Sequence, residues 1–204
     1  MLIRGFYAVL DRDDEALARA LLSSGARVLQ VRIKPAQRRA DAAEIVKVGR
    51  MARRLCDDVG AQLVINDRFD IALTVGADGL HLGQRDLPIE VVRSLVGDRL
   101  WIGVSTHDLA QVRAACAAGA DYLGFGPVFP TTTKEHPDPV QGLTGLRAAV
   151  AEAGARPVVA IGGITPARAA EVYAAGAAAI CAIGAVNEAP DVAATGRQLA
   201  AART

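Results

Sequence analysis

Polar side chains recur at every second position in Gln30-Val31-Arg32-Ile33-Lys34. In an extended strand Gln30, Arg32 and Lys34 share one face, and Val31 and Ile33 take the other. A face carrying two cations and an amide is costly to bury unless it meets counter-charges at a barrel mouth or an anionic ligand. Two further apolar runs end in Asn66-Asp67-Arg68 and Gly83-Gln84-Arg85-Asp86, so Asp67 and Asp86 stand just past successive strands and can converge. Magnesium is commonly held by one or two carboxylates together with substrate phosphates. A basic strand beside two such carboxylates therefore points to a metal–phosphate site. Taken singly, each aspartate has a plainer use: Asp86 can cap a helix beginning at Pro88, and Asp67 can pair with Arg68 or Arg32.

Hydroxyls follow later in the chain. Ser105 or Thr106 can cap the helix that runs on to Gly119, and can equally bond a phosphate oxygen. His107, in the first turn of that helix, reads as a surface residue. His81, between Leu80 and Leu82, reads as a bonded core or rim histidine before it reads as a catalyst. The stretch Gly126 to Lys134 is punctuated by glycine and proline and loaded with threonines, and loops of this kind in a compact domain are mostly functional. Thr131, Thr133 and Lys134 can bond two anionic groups. Gly162-Gly163 and Ile183-Gly184 close two more apolar runs, where glycine lets backbone amides approach a phosphate.

These groups need a frame, and the chain shows one. An apolar helix, then Gly-Ala, then a short strand recurs at Ser24, Val59, Val75, Ala118, Ala153 and Ala175. Each glycine suits the left-handed position just past a helix end, and Gly97 closes another helix. Helix signals agree: Ile45, Val48, Ala52, Leu55 and Val59 form one apolar stripe. Thr165 can cap a helix whose first residue is Pro166, with Ala169, Val172 and Tyr173 on one face. Strands are expected at FYAVL, VLQVRIK, QLVIND, GLHLG, WIGVST, YLGFGPVF, PVVAIGG and AICAIGA. Eight strands alternating with helices predict a parallel sheet, and eight regular units favour a closed (β/α)8 TIM barrel over an open doubly wound sheet. Residues 1–204 then form a single α/β domain, with chemistry at the carboxyl ends of the strands.

Bulk properties narrow the function classes. A net charge of +1 gives no global field for nucleic acid or an anionic membrane, and 4% aromatics argue against a base-stacking surface. Cys56, Cys116 and Cys181 lack zinc-ligand spacing and read as reduced thiols. Charge arrives too early near the start for a signal peptide, and no apolar run approaches the roughly 20 residues of a membrane helix, so a cytoplasmic location is expected.

Five strand-end motifs in one order, QVRIK, INDRFDIALTVGADGLHLGQRDLP, IGVSTH, GADYLGFGPVFPTTTK and VVAIGGITPARAAEVYAAGA, resemble thiamine-phosphate synthases from about Gln30 to Ala185. The resemblance implies joining of 4-amino-2-methyl-5-hydroxymethylpyrimidine diphosphate to a hydroxyethylthiazole phosphate, with release of pyrophosphate. By position it implies Gln30, Arg32, Lys34 and Asn66 at the pyrimidine diphosphate, Asp67 and Asp86 on magnesium, and Ser105 and Lys134 at the pyrophosphate. It places Thr131, Thr133 and the backbones of Gly163, Ile183 and Gly184 at the thiazole phosphate. Gly184 stands where many members carry serine, so a backbone amide replaces a hydroxyl there. The related thiazole tautomerases would lack the Asp67, Asp86 and Lys134 set and place a histidine near Pro127. A non-catalytic barrel that binds thiamine precursors would need no metal carboxylates.

Overall fold

A glycine in the left-handed region ends helix after helix: Gly25, Gly60, Gly76, Gly119, Gly154 and Gly176 all have positive φ. The reversal turns the chain straight into the next strand, as the Gly-Ala repeat predicts. A computed structural model describes residues 3–33, 41–131 and 138–203. Its first half runs β1 (Gly5–Leu10), α1 (Glu15–Ser23), β2 (Val28–Val31), α2 (Ala42–Val59), β3 (Gln62–Asn66), α3 (Phe69–Val75), β4 (Gly79–Leu82) and α4 (Ile89–Val96). The second half runs β5 (Trp101–Thr106), α5 (Leu109–Ala117), β6 (Tyr122–Phe125), α6 (Gly142–Ala153), β7 (Val158–Ile161), α7 (Pro166–Ala174), β8 (Ala179–Cys181), α8 (Ile183–Asn187) and α9 (Val192–Ala201). The strands pair in parallel in sequence order and β8 pairs back to β1, closing the barrel.

Strand alternation divides the core in two. Leu29, Val31, Leu63, Ile65, Leu80, Leu82, Ile102 and Leu123 point outward and pack under the helices. Tyr7, Val9, Val28, Val64, Tyr122, Val159, Ala179 and Cys181 fill the barrel interior. In α2 the buried stripe is Val48, Met51, Ala52, Leu55 and Cys56. Val59, expected on that stripe, is instead 51% exposed at the helix end. Helix α7 begins with Pro166 after Thr165 as expected, but the Thr165 side chain makes no capping bond.

The amino-terminal face of the barrel is held by a repeated device. Asp78 follows Gly76-Ala77, and its carboxylate accepts from the Leu63 amide and from Arg53 of α2, both at 2.7 Å. Asp121 follows Gly119-Ala120 and accepts from the Ile102 amide and from Arg93 of α4, both at 2.6 Å. Each aspartate thus ties the entry of one strand to the strand before it and to an outer helix. Asp121→Ala leaves the Ile102 amide of a buried residue without its acceptor, at a cost of about 1–3 kcal/mol. Asp121→Asn keeps an acceptor oxygen and costs less. Urea unfolding midpoints of both variants measure the difference, and midpoints equal to wild type would refute the role.

Candidate functional site at the carboxyl end of the barrel

Parity places the polar groups. Gln30 of β2 is buried inside the barrel, on the face opposite Val31 and Ile33. Arg32 follows directly, held by its amide to the Leu10 carbonyl at 2.9 Å. Its charge opposes the effect of burial on the Cys181 thiol, which is nevertheless pushed up to about 12, so Arg32 and the end of β8 are near neighbours. Strand β2 itself stops at Val31, earlier than VLQVRIK implies. Asn66 is the last residue of β3 and pairs in register with His81 of β4.

Asp67 and Asp86 flank the end of β4. The Asp67 amide donates to the His81 carbonyl at 2.8 Å. Asp86 accepts from the Gly83 amide at 2.7 Å, which closes the turn after that strand. The particular pairings expected of them are not the ones made. Arg68 pairs with Asp70 rather than with Asp67, and α4 is preceded by Pro88 with no side-chain cap. Among the described residues Asp67 is also the non-glycine residue with positive φ, at 62°. Such backbone costs of order 1–3 kcal/mol and gathers at functional sites. The donors here are oxygens, and among the described residues no group of three or more His, Cys, Asp or Glu could hold a metal by itself. That donor set fits a hard cation completed by phosphate oxygens rather than a caged structural metal.

Strand β5 supplies Ser105, whose hydroxyl lies 2.9 Å from His81 Nε2. Thr106 faces the other way and donates to the Gly124 carbonyl at 3.0 Å. Neither caps α5: that position belongs to Asp108, which accepts from the Gln111 amide. His107 precedes the helix instead of joining its first turn, and its Nδ1 donates to the Gly126 carbonyl at 2.6 Å. His81 is bonded on both ring nitrogens, as expected of a core or rim histidine.

The loops after β6 and β7 lie on one another. The Val128 amide donates to the Ile161 carbonyl at 2.9 Å and the Phe129 amide to the Gly162 carbonyl at 3.0 Å. A Cβ on Gly163 would fall 2.3 Å from the Pro130 carbonyl oxygen, so that glycine is required by the packing of Thr131's own loop. Strand β8 is shorter than AICAIGA implies: it ends at Cys181, and Ile183 and Gly184 open the short helix α8. Barrels that bind phosphate often use such an extra helix after the eighth strand. Lys34, Thr133 and Lys134 lie outside the described residues.

The family model described as thiamine monophosphate synthase matches residues 5–186. The chain belongs to this family. It is 45% identical over 190 residues to the thiamine-phosphate synthase of Chloroflexus aurantiacus, covering 93% of this chain and 85% of that protein. It is 47% identical over 183 residues to the enzyme of that name from Moorella thermoacetica, covering 90% and 85%. The solved thiamine phosphate pyrophosphorylase of Pyrococcus furiosus superposes with a TM-score of 0.88 at 38% identity, covering 98% and 96%. A 3-hexulose-6-phosphate synthase, at a TM-score of 0.70 and 19% identity over 98% of this chain and 100% of that one, shares the fold alone.

What the motifs of the thiamine monophosphate synthase family left unseen is the pair Tyr7 and Tyr122, buried in the barrel with their hydroxyls 2.9 Å apart. The signal was available. Gly103 faces inward two residues before Ser105, and a Cβ there would sit 1.9 Å from the Tyr122 ring. A strand glycine at an inward position marks close approach of a bulky neighbour.

The strained backbone at Asp67 gives a test that separates fold from chemistry. Asp67→Gly and Asp67→Ala both delete the carboxylate, but only alanine retains a Cβ at positive φ. The glycine variant is expected to be the more stable by about 1 kcal/mol. Chemical denaturation compares them, and an alanine variant as stable as the glycine one would argue against the left-handed backbone.

Proposed function

We propose that the chain catalyses the synthesis of thiamine phosphate. It joins 4-amino-2-methyl-5-hydroxymethylpyrimidine diphosphate to 4-methyl-5-(2-hydroxyethyl)thiazole phosphate, or its carboxylated form, and releases pyrophosphate as a transferase. The observation that carries this reading is the family match across residues 5–186. It is supported by the meeting of Gln30, Arg32, Asn66, Asp67, Asp86 and Ser105 at one end of the barrel.

The reaction breaks the bond between the pyrimidine's methylene carbon and a diphosphate oxygen, and the electron pair leaves with pyrophosphate. The thiazole nitrogen then supplies the pair that forms the new carbon–nitrogen bond. Charge builds on the leaving diphosphate, so groups aimed there lower the barrier. Arg32, Lys34 and Lys134 are the cations assigned to it, with the Ser105 hydroxyl as a neutral donor. Gln30 and Asn66 orient the pyrimidine end. Asp67 and Asp86 would hold magnesium, which neutralises charge on the diphosphate when bound. Thr131 and Thr133, with the backbones of Gly163, Ile183 and Gly184, hold the thiazole phosphate. No protein nucleophile or general base is required.

A thiazole tautomerase is the nearest alternative. A histidine does stand beside Pro127 in space, because His107 bonds the preceding carbonyl of Gly126. Its Nδ1 is committed to that bond, and Asp67 and Asp86 have no use in a metal-free isomerisation. The proposal extends to a cytoplasmic location, supported by the unbridged Cys56, Cys116 and Cys181. Among the described residues no helix is long and apolar enough to cross a membrane.

Purified protein is expected to release pyrophosphate only with both substrates and magnesium present. Asp67→Ala, Asp86→Ala and Lys134→Ala should each slow release more than tenfold, about 1.4 kcal/mol of barrier. Full activity in a chelator would remove the metal from the proposal, and isomerisation of the thiazole without pyrophosphate release would replace the synthase reading with the tautomerase.

A further inference from the structure

A chain of hydrogen bonds crosses the barrel interior from Gln30 to Ser105. Gln30 Nε2 donates to the Tyr7 hydroxyl at 2.9 Å. The Tyr7 and Tyr122 hydroxyls are 2.9 Å apart. The Tyr122 hydroxyl is 2.8 Å from His81 Nδ1, and His81 Nε2 is 2.9 Å from Ser105 Oγ. A hydroxyl has one hydrogen to give. Tyr7 accepts from Gln30; with Tyr122 as donor the buried Tyr7 hydrogen would be left without an acceptor, so the arrangement that spends every buried hydrogen has Tyr7 donating to Tyr122. In that arrangement Tyr122 donates to His81 Nδ1, the nitrogen without a hydrogen. The imidazole hydrogen therefore sits on Nε2 and is donated to Ser105 Oγ. The serine's own hydrogen is then not spent within the series.

The members have little room to do otherwise. Tyr7, Tyr122 and Gln30 are all buried. The Tyr122 ring occupies space cleared by Gly103, and the His81 ring lies against Gly124, where a Cβ would be 3.2 Å from Cε1. Trp101 meets the Tyr122 ring edge-on at 5.4 Å between centroids. Burial also drives both tyrosine hydroxyls far above their ordinary range, which keeps them neutral donors.

We infer that Gln30, Tyr7, Tyr122 and His81 form a directional relay that turns the Ser105 hydroxyl outward as a hydrogen-bond donor to the leaving pyrophosphate. Tyr7, Tyr122 and His81 act through Ser105, as positioning residues. The target of the donor rests on the synthase reading; the direction of the relay does not. Reversal of the Gln30 amide would reverse every bond, put the hydrogen on His81 Nδ1 and spend the serine hydrogen on Nε2. Gln30 thus sets, from the pyrimidine end, whether Ser105 can donate at the pyrophosphate end.

Two measurements test it. Nitrogen-15 spectra of histidine-labelled protein at mildly alkaline pH should show His81 as the neutral Nε2–H tautomer; an Nδ1–H tautomer or an imidazolium overturns the relay. Inorganic pyrophosphate with magnesium is then titrated against Tyr7→Phe, Tyr122→Phe and Ser105→Ala, each checked by circular dichroism to be fully folded at the temperature of the titration. Each should bind about fivefold more weakly, and Tyr7→Phe should add nothing in the Ser105→Ala background. Additive losses would mean that Tyr7 acts only on packing and would sink the proposal. Should wild type fail to bind pyrophosphate at all, the synthase reading and the role of the serine donor fall together, while the tautomer still decides the relay.

Discussion

Polar groups inside a closed barrel have no water to fall back on, and each donor or acceptor left unmet costs about 1–3 kcal/mol. Here the inward positions of β1, β2, β4, β5 and β6 carry Tyr7, Gln30, His81, Ser105 and Tyr122, all bonded in one series. Ile3, Val28, Val64 and Ala179 surround the tyrosines with apolar contact. Tyr7 and Tyr122 are buried at the middle of the series, so the groups at its two ends are held from inside the barrel. Those ends are the amide and the hydroxyl that emerge at the mouth of the barrel, where ligands bind in this architecture.

The same residue type serves different ends on the two faces. Asp78 and Asp121 spend their carboxylates on strand amides and an arginine at the amino-terminal face. Asp67 and Asp86 stand at the opposite face, where Asp86 gives one oxygen to a turn and Asp67 sits on strained backbone. The first pair follows Gly-Ala ahead of a strand and the second follows the end of a strand, so local sequence and position along the barrel axis separate the two sets together.

Elements whose signal is local were legible. The Gly-Ala repeat located strands because a residue at positive φ after a helix is a demand on one position. Parity then assigned Gln30 inward and Val31 outward. Features that depend on neighbours across the barrel were not legible. Ser105, Thr106 and Asp108 all have capping chemistry, and the choice fell to Asp108 because β5 extends through Thr106 and commits the other two to opposite faces. The end of β8 was misplaced because Ile183 and Gly184 suit strand and helix alike. The tyrosine pair joins residues 115 apart in sequence, and no periodicity within one segment reports such a contact.

Gly162 and Gly163 illustrate how two explanations of one motif can share a geometry. Glycines after the seventh strand read as a cradle for phosphate, yet a Cβ on Gly162 would fall 2.5 Å from Pro127 Cα, and the neighbouring loop alone excludes it. Packing therefore suffices to explain the pair. It also binds the two loops into a unit: backbone bonds link them, Arg168 donates to the Gly163 carbonyl at 2.9 Å, and its guanidinium lies 4.5 Å over the Phe129 ring. A ligand held by Gly163 and by Thr131 would meet one rigid surface rather than two independent loops. Close backbone contact made for packing would then bring the hydroxyl of one loop and the amides of the other to the same anion in the proposed reaction.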